Sequence, residues 1–391
     1  MKRLPFYFWA SLALASCQGG KEAVNQALPV IDMNEDYPEK EIVLQDIADI
    51  SYIPLETNDE FLFDGSVEVV TDQYVITKGH RGNDVCFFSR QGKALNRIHR
   101  VGNGPGEYKD IGSIDVNPAN GELYLKEMNR QQIHVYSLDG KFKQGIVEHS
   151  FTFPEGKRMS RMCLFSPDYL IAEQESKVPD DQDANFYPYL LVSTRDGHLD
   201  SLDYVQKKNI LVKLIVNAEN HSYAYLLEPS LIRNGSRFYI GNPDSDTLFA
   251  MNPDRTLEPL LVRTPSHSEE GNKYGLFLRG AAGAYFFLTK QPMEVPMNSI
   301  ESLDLKSEEW LYDCRTQEVC RYLLKNKDDA SKRVEGIMFF CYPEDCGLAV
   351  LKSEDLMDAY EAGQLSGELK EIAAGLKADD NPVLMLIHFK K

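Results

Sequence analysis

A short grammar of strand, polar turn, strand and glycine turn recurs along this chain, and few folds can absorb many copies of one such unit. Gln73–Lys78 and Val85–Ser89 are followed by Arg90-Gln-Gly-Lys93. Glu122–Lys126 and Ile133–Ser137 are followed by Leu138-Asp-Gly-Lys141, and Tyr169–Glu173 and Tyr189–Ser193 by Arg195-Asp-Gly-His198. A fourth copy joins Arg237–Gly241 and Thr247–Ala250 to Asn252-Pro-Asp-Arg255. Ala284–Leu288 with Trp310–Asp313, and Gly347–Leu351 with Val383–His388, complete the series. These β-branched and aromatic runs, separated by Gly, Asp and Asn, are strand and hairpin signals.

A further apolar strand precedes each pair, as in Val67–Val70, Ser113–Val116, Met162–Phe165 and Ile337–Phe340. Another follows most pairs, as in Ala94–His99, Leu199–Tyr204, Leu257–Val262 and Val319–Leu324. Four antiparallel strands repeated six times predict an all-β chain, a six-bladed β-propeller. A two-sheet sandwich with a small extra domain would explain the strands but not six copies at spacings of roughly 46 to 68 residues. The sixth unit runs out of chain before its fourth strand, and Ile50–Thr57 has no blade of its own. That amino-terminal strand is expected to close the last blade and remove an edge prone to aggregation. A helical insert is expected in blade six, capped by Ser353, with Leu369, Ile372, Ala373 and Leu376 on the face packed against the propeller.

Ahead of the repeat, Lys2 and Arg3 precede the apolar stretch Leu4–Ala13 and the small-residue site Leu14-Ala15-Ser16-Cys17. This pattern predicts a lipoprotein signal peptide over residues 1–16, with lipid attached at Cys17. Stable anchoring takes more than one acyl chain, such as the palmitate and its partners on a lipoprotein cysteine. Residues 17–40 are polar and are expected to form a flexible tether, leaving 41–391 as the propeller. With Gln18 rather than Asp after Cys17, the expected location is the cell envelope, at the outer membrane facing the periplasm. Loss of Lys2 and Arg3 moves the formal charge from −18 to −20. So acidic a chain repels nucleic acid, and its membrane contact is expected through lipid alone. A monomer is expected.

Six cysteines remain after Cys17 is set aside, in a compartment where disulfides form. Cys314 with Cys320, and Cys341 with Cys346, could each close across a hairpin, or the thiols could stay unpaired, since hairpin cysteines meet only in the right register. Their spacing argues against a four-cysteine zinc site.

Three segments, Tyr52-Ile-Pro-Leu-Glu-Thr57, Arg100-Val-Gly-Asn-Gly-Pro-Gly-Glu-Tyr108 and Asn381-Pro-Val-Leu384, carry a family resemblance. Together they resemble the six-bladed β-propeller lipoproteins of Bacteroides-type bacteria, which are distantly similar to NHL-repeat propellers. The resemblance spans residues 40 to 391, is most specific in Gly-Pro-Gly-Glu-Tyr, and implies a fold and a compartment without a catalytic set.

In an up-and-down blade, successive turns alternate between the two rims of the disc. The loops between second and third strands therefore share a rim with the links between blades. That rim gathers Gly79–Asp84, Asn103–Tyr108, Met128–Arg130, Glu175–Tyr187, Asn242–Asp246, Gln291–Glu308 and the helical insert. Long loops on a rigid scaffold commonly carry binding, which makes this rim the candidate face, with Arg81, Asn83, Arg100, Asn103, Glu107, Tyr108 and Arg130 as candidate binding residues. Gly102-Asn-Gly-Pro-Gly106 lacks the phosphate-loop spacing, and Arg100, Glu107 and Tyr108 are suited to bracing that loop. The eight histidines show no metal-ligand spacing, and no cofactor is expected, although channel carboxylates could hold calcium. The leading expectation is a binding or scaffold module for a peptide, glycan or protein. The alternative is a metal-dependent lyase or hydrolase with its site in the central channel.

Overall fold

The computed structural model describes residues 28–80, 83–128, 130, 132–147, 157–176, 188–202, 211–217, 222–227, 231–241, 245–296, 305–340 and 342–391. Six antiparallel blades form a β-propeller, as the repeat predicted. Blade 1 comprises Ser66–Val70, Tyr74–Lys78, Val85–Ser89 and Ala94–Ile98. Blade 2 comprises Ile111–Asn117, Glu122–Glu127, Gln132–Ser137 and Phe142–Val147. Blade 3 comprises Lys157–Ser166, Tyr169–Ser176, Tyr189–Ser193 and Leu199–Ser201. Blade 4 comprises Leu231–Asn234, Arg237–Ile240, Thr247–Met251 and Leu257–Thr264. Blade 5 comprises Tyr274–Ala282, Tyr285–Pro292, Glu308–Asp313 and Glu318–Lys325. In blade 6, Cys346–Leu351 and Val383–Phe389 pair with each other and, at the outer edge, with Ala48–Pro54.

The repeated turns show why the copies share a register. After the third strand of blade 1, Ser89 N–H donates to the Lys93 carbonyl at 2.8 Å and Gly92 N–H to the Ser89 carbonyl at 2.9 Å, with Gly92 at φ +81°. Blade 2 repeats both bonds through Ser137, Lys141 and Gly140, the glycine lying at φ +83°. Blade 4 keeps the geometry with Arg255 at φ +72°, where glycine would be unstrained. Its guanidinium is tied to Asp200 of blade 3, which helps hold the turn.

Apolar faces of neighbouring blades pack on one another. Val69, Ile76 and Phe87 of blade 1 meet Ile114, Leu123 and Leu125 of blade 2 in one buried cluster. Full burial of each such side chain contributes on the order of 2 kcal/mol. A blade covered on one face only would offset little of its ordering entropy, so the ring must close.

Closure comes from the amino terminus, three residues earlier than expected at its carboxyl end. Ala48–Pro54 pairs with Val383–Phe389 from Ala48↔Phe389 to Pro54↔Val383. Proline has no N–H with which to extend the ladder, and Leu55 turns to donate to the Pro382 carbonyl at 3.2 Å. Upstream, the polar tether expected over 17–40 is corrected within the described residues. Val30–Asp32 adds in parallel to the outer strand of blade 4, and Glu39–Val43 adds in parallel to that of blade 5. The chain thus girdles three successive blades. Ile31 and Met33 enter the apolar core, and Tyr37 stands edge-on to the fully buried Trp310 at 5.0 Å. These few apolar residues, spaced too widely for a periodic signal, are what convert a polar stretch into structure.

The insert of blade 6 is two helices, Ser353–Glu361 and Gly367–Ala373, separated near Gly363 at φ +69°. Leu356, Leu369 and Ala373 are buried against Leu324, Val383 and Met385, so the insert packs on the propeller as expected. Ser353 does not cap with its side chain, because its hydroxyl donates to the Asn381 carbonyl at 2.7 Å. An unexpected three-stranded sheet combines Leu211–Asn217, Ser222–Leu227 and Glu294–Pro296, from the blade 3–4 link and a blade 5 loop.

The Cys314–Cys320 bridge does not form. The register sets Cys320 opposite Leu311 and leaves Cys314 beyond the paired residues, so both thiols are free. Cys341 lies outside the described residues, as do Cys17, Arg81, most of the Glu175–Tyr187 loop and residues 297–304 of the Gln291–Glu308 loop.

Candidate functional site

The innermost segments of all six blades border a cavity of about 830 Å³ on the propeller axis. Glu68 comes from blade 1, Ser113–Asp115 from blade 2, Arg161–Cys163 from blade 3 and Leu231–Arg233 from blade 4. Leu278 and Arg279 come from blade 5, and Ile337–Phe340 from blade 6. Blade 6 contributes an irregular inner segment, held by a single bridge between Met338 and Leu348. Phe339 of that segment seats against Gly280, where a Cβ would lie 2.1 Å from the ring. The cavity extends outward past Tyr322–Leu324 and Arg333–Gly336, and its volume suits a small organic ligand.

One ion pair crosses the axis. Arg233 donates to Asp115 at 2.5 Å and to the Phe340 carbonyl at 3.2 Å, and its guanidinium lies 4.1 Å from the centre of the Tyr342 ring. Asp115 also accepts from the Leu164 N–H at 2.6 Å, the Val116 N–H at 2.8 Å and the Tyr342 hydroxyl at 2.8 Å. Residues of blades 2, 3 and 4 and of the segment entering blade 6 are thereby joined. Burial opposes the Arg233 charge and Asp115 beside it favours that charge, and the balance holds its pKa above the usual guanidinium value. Burial, reinforced by Asp115, pushes the Tyr342 phenol up as well, which keeps it a hydrogen-bond donor at neutral pH. Burial also pushes the Cys163 thiol up to about 12, so it is protonated and unreactive there.

The buried polar atoms of this wall that lack a partner can all donate. Among the described residues, Ser113 Oγ, Arg233 Nε and Arg321 Nε are buried without a partner. Such groups cost free energy unless something else meets them.

The residues expected on the rim are separate from the axial cavity. None of Asn83, Arg100, Asn103, Glu107, Tyr108 and Arg130 borders the cavity. They meet at the link between blades 1 and 2. The fully buried Tyr108 hydroxyl donates to the carbonyls of Asn83 at 3.0 Å and Ile98 at 3.2 Å, and Arg100 N–H donates to that hydroxyl at 3.3 Å. Glu107 accepts from Gly104 N–H at 2.8 Å, and Arg130 donates to the Asn103 side chain at 3.2 Å. Gly106, at φ +73°, would place a Cβ 2.4 Å from the Phe142 ring. Glu107 and Tyr108 brace this loop through their side chains, whereas Arg100 takes part through its backbone.

The other two segments behind the family resemblance meet at the ring closure. Asn381, almost fully buried, donates through its side chain to the carbonyls of Glu56 and Phe61, both at 2.7 Å, and accepts from Phe63 N–H at 2.7 Å. Its own N–H donates to the Thr57 hydroxyl at 2.7 Å. Tyr52 donates to Asp328 at 3.0 Å and accepts from the Asn326 amide at 2.8 Å.

Sequence reasoning missed the cavity residues because Ser113, Arg161 and Arg233 sit in unrelated local contexts, far apart in the chain. The available signal was positional: charged or hydroxyl residues in innermost strands, where a blade is otherwise apolar. Among the described residues, no group of three or more His, Cys, Asp or Glu side chains is placed to hold a metal ion.

A family model described as a domain of unknown function (DUF4934) matches residues 28–388. No curated protein matches the chain. The structure is similar to that of a Bacteroides fragilis protein conjectured to be exported, with 14% identity, 93% of this chain and 100% of that chain covered, and a TM-score of 0.62. A member of the DUF4221 family from Bacteroides vulgatus aligns at 10% identity over 88% of this chain and 97% of its own, with a TM-score of 0.49. At such identities these likenesses bear on fold alone.

Proposed function

This chain belongs to the DUF4934 family, and we propose that it is an exported, lipid-anchored binding module that takes a ligand into the axial cavity. The observation that carries this reading is a roomy cavity whose wall retains unpartnered buried donors. A peptide, glycan or partner protein would engage the module through the group that enters it. Export is supported by the charged, apolar and small-residue sequence that ends at Cys17, and by the likeness to a protein conjectured to be exported. In this reading lipid is carried on Cys17 at the periplasmic face of the outer membrane. The folded body begins at blade 4, so residues 18–28 span at most about 40 Å and the disc stays close to the bilayer.

The test is native mass spectrometry of the full chain extracted from its own envelope, alongside a Ser113→Phe variant that fills the axial end. The wild-type chain is expected to carry a small-molecule adduct that the folded variant lacks. The same adduct on both, or on neither, would remove the cavity as the binding site. Loss of the Cys17→Ser chain from the membrane fraction is the matching result for the anchor.

A further inference from the structure

We propose that the axial cavity selects an organic anion, a carboxylate carried on an apolar body, with Arg161, Arg233 and Ser113 as the group that receives it. This rests on the cavity being the binding site. The apolar part is provided for by Ile114, Met162, Ile232, Leu278, Phe287 and Phe339. What selects the charge is an imbalance at the axial end of the wall.

There, both acids already have partners. Glu68 is paired with Lys78 at 3.2 Å and accepts from the Ser66 hydroxyl at 2.6 Å. Asp115 receives four donors, namely Arg233, Tyr342 and two backbone N–H groups. The donors are not used up. Arg233 is 6% exposed and spends its terminal nitrogens on Asp115 and the Phe340 carbonyl, leaving Nε buried and unpartnered. Ser113, 7% exposed and two residues before Asp115, has an unpartnered hydroxyl. Arg161, on the innermost strand of blade 3, has no hydrogen bond or ion pair among the described residues.

With Glu68 balanced by Lys78 and Asp115 by Arg233, the Arg161 charge is left over. An otherwise strongly acidic chain thus presents a positive, donor-rich end inside its cavity. A carboxylate offers acceptor-only oxygens that suit guanidinium and hydroxyl donors, and charge-assisted bonds of this kind are about twice as strong as neutral ones. The acids of the wall without a partner among the described residues, Glu39 and Glu335, are solvent-exposed and belong to the amino-terminal strand added to blade 5 and to the link after that blade. They leave the axial imbalance in place.

Isothermal titration calorimetry of the full chain with 4-phenylbutyrate and with 4-phenylbutanol compares a carboxylate with its neutral counterpart on one apolar body. The acid is expected to bind at least about tenfold more tightly, and Arg161→Gln to reduce that preference by weakening acid binding more than alcohol binding. Arg161 is exposed and has no partner to lose, so the variant should fold as the parent does. Equal affinity for acid and alcohol, as when ordered water already meets the donors, would overturn the anion preference and leave the cavity standing as a binding site. An undiminished preference in Arg161→Gln would overturn the assignment of the receiving group. Binding of neither probe would also overturn the inference, while the adduct measurement on the envelope-extracted chain judges the cavity independently.

Discussion

The closure seam and the cavity wall are both built from buried polar groups, and they treat those groups in opposite ways. At the seam, the Asn381 side chain holds the segments around Glu56, Phe61 and Phe63 through three bonds of 2.7 Å. Further along the closing strand, Tyr52 and Asn326 bond to one another. At the wall, one ion pair is over-supplied with donors, and Ser113 Oγ and Arg233 Nε have no partner among the described residues. A seam that must not open profits from complete satisfaction. Donors left over beside a cavity are suited to meeting something that comes and goes.

Replacement of Arg233 tests whether the wall is also structural. Arg233→Met leaves Asp115 buried beside Tyr342 without its counter-charge, and a loss of about 3–5 kcal/mol in urea unfolding is expected. Asp115→Asn in the same chain should recover part of it. A loss below about 1 kcal/mol would mean that the cross-axis pair ties nothing together.

Asn381→Ala strikes the seam. It strips partners from the Glu56 and Phe61 carbonyls and the Phe63 N–H, and a loss of about 2–4 kcal/mol is expected, together with faster hydrogen exchange in Ala48–Pro54. Exchange accelerated equally in all blades would show that the seam is no weaker than the rest of the ring. The smallest effect sharpens the contrast most. Ser113→Ala removes a hydroxyl with no partner, so thermal unfolding should be unchanged or improved by up to about 1 kcal/mol, whereas a seam hydroxyl such as Ser353, which donates to Asn381, should cost that much.

The same contrast explains what was legible in the chain. Strand periodicity and the glycine turns are local, and they set blade number, order and most strand limits. The recognisable segments around Tyr52, Gly106 and Asn381 were legible because architecture constrains neighbouring residues together: a positive φ beside Phe142, or a proline ending a ladder. They mark where blades are locked to one another. The girdle over blades 4 and 5 was hidden because Ile31, Met33 and Tyr37 lie in a polar stretch with no period. The sheet built on Leu211–Asn217 and Ser222–Leu227 was hidden because its third strand comes from a distant loop.

By itself the sequence determined the all-β class, the six blades and the need for an amino-terminal strand to finish the last one, since alternation and turn chemistry act over a few residues. Only the tertiary structure decided which charges face the axis. Ser113, Arg161 and Arg233 become neighbours because ring closure brings innermost strands together, and whether a buried donor keeps a partner depends on groups that sequence distance cannot place.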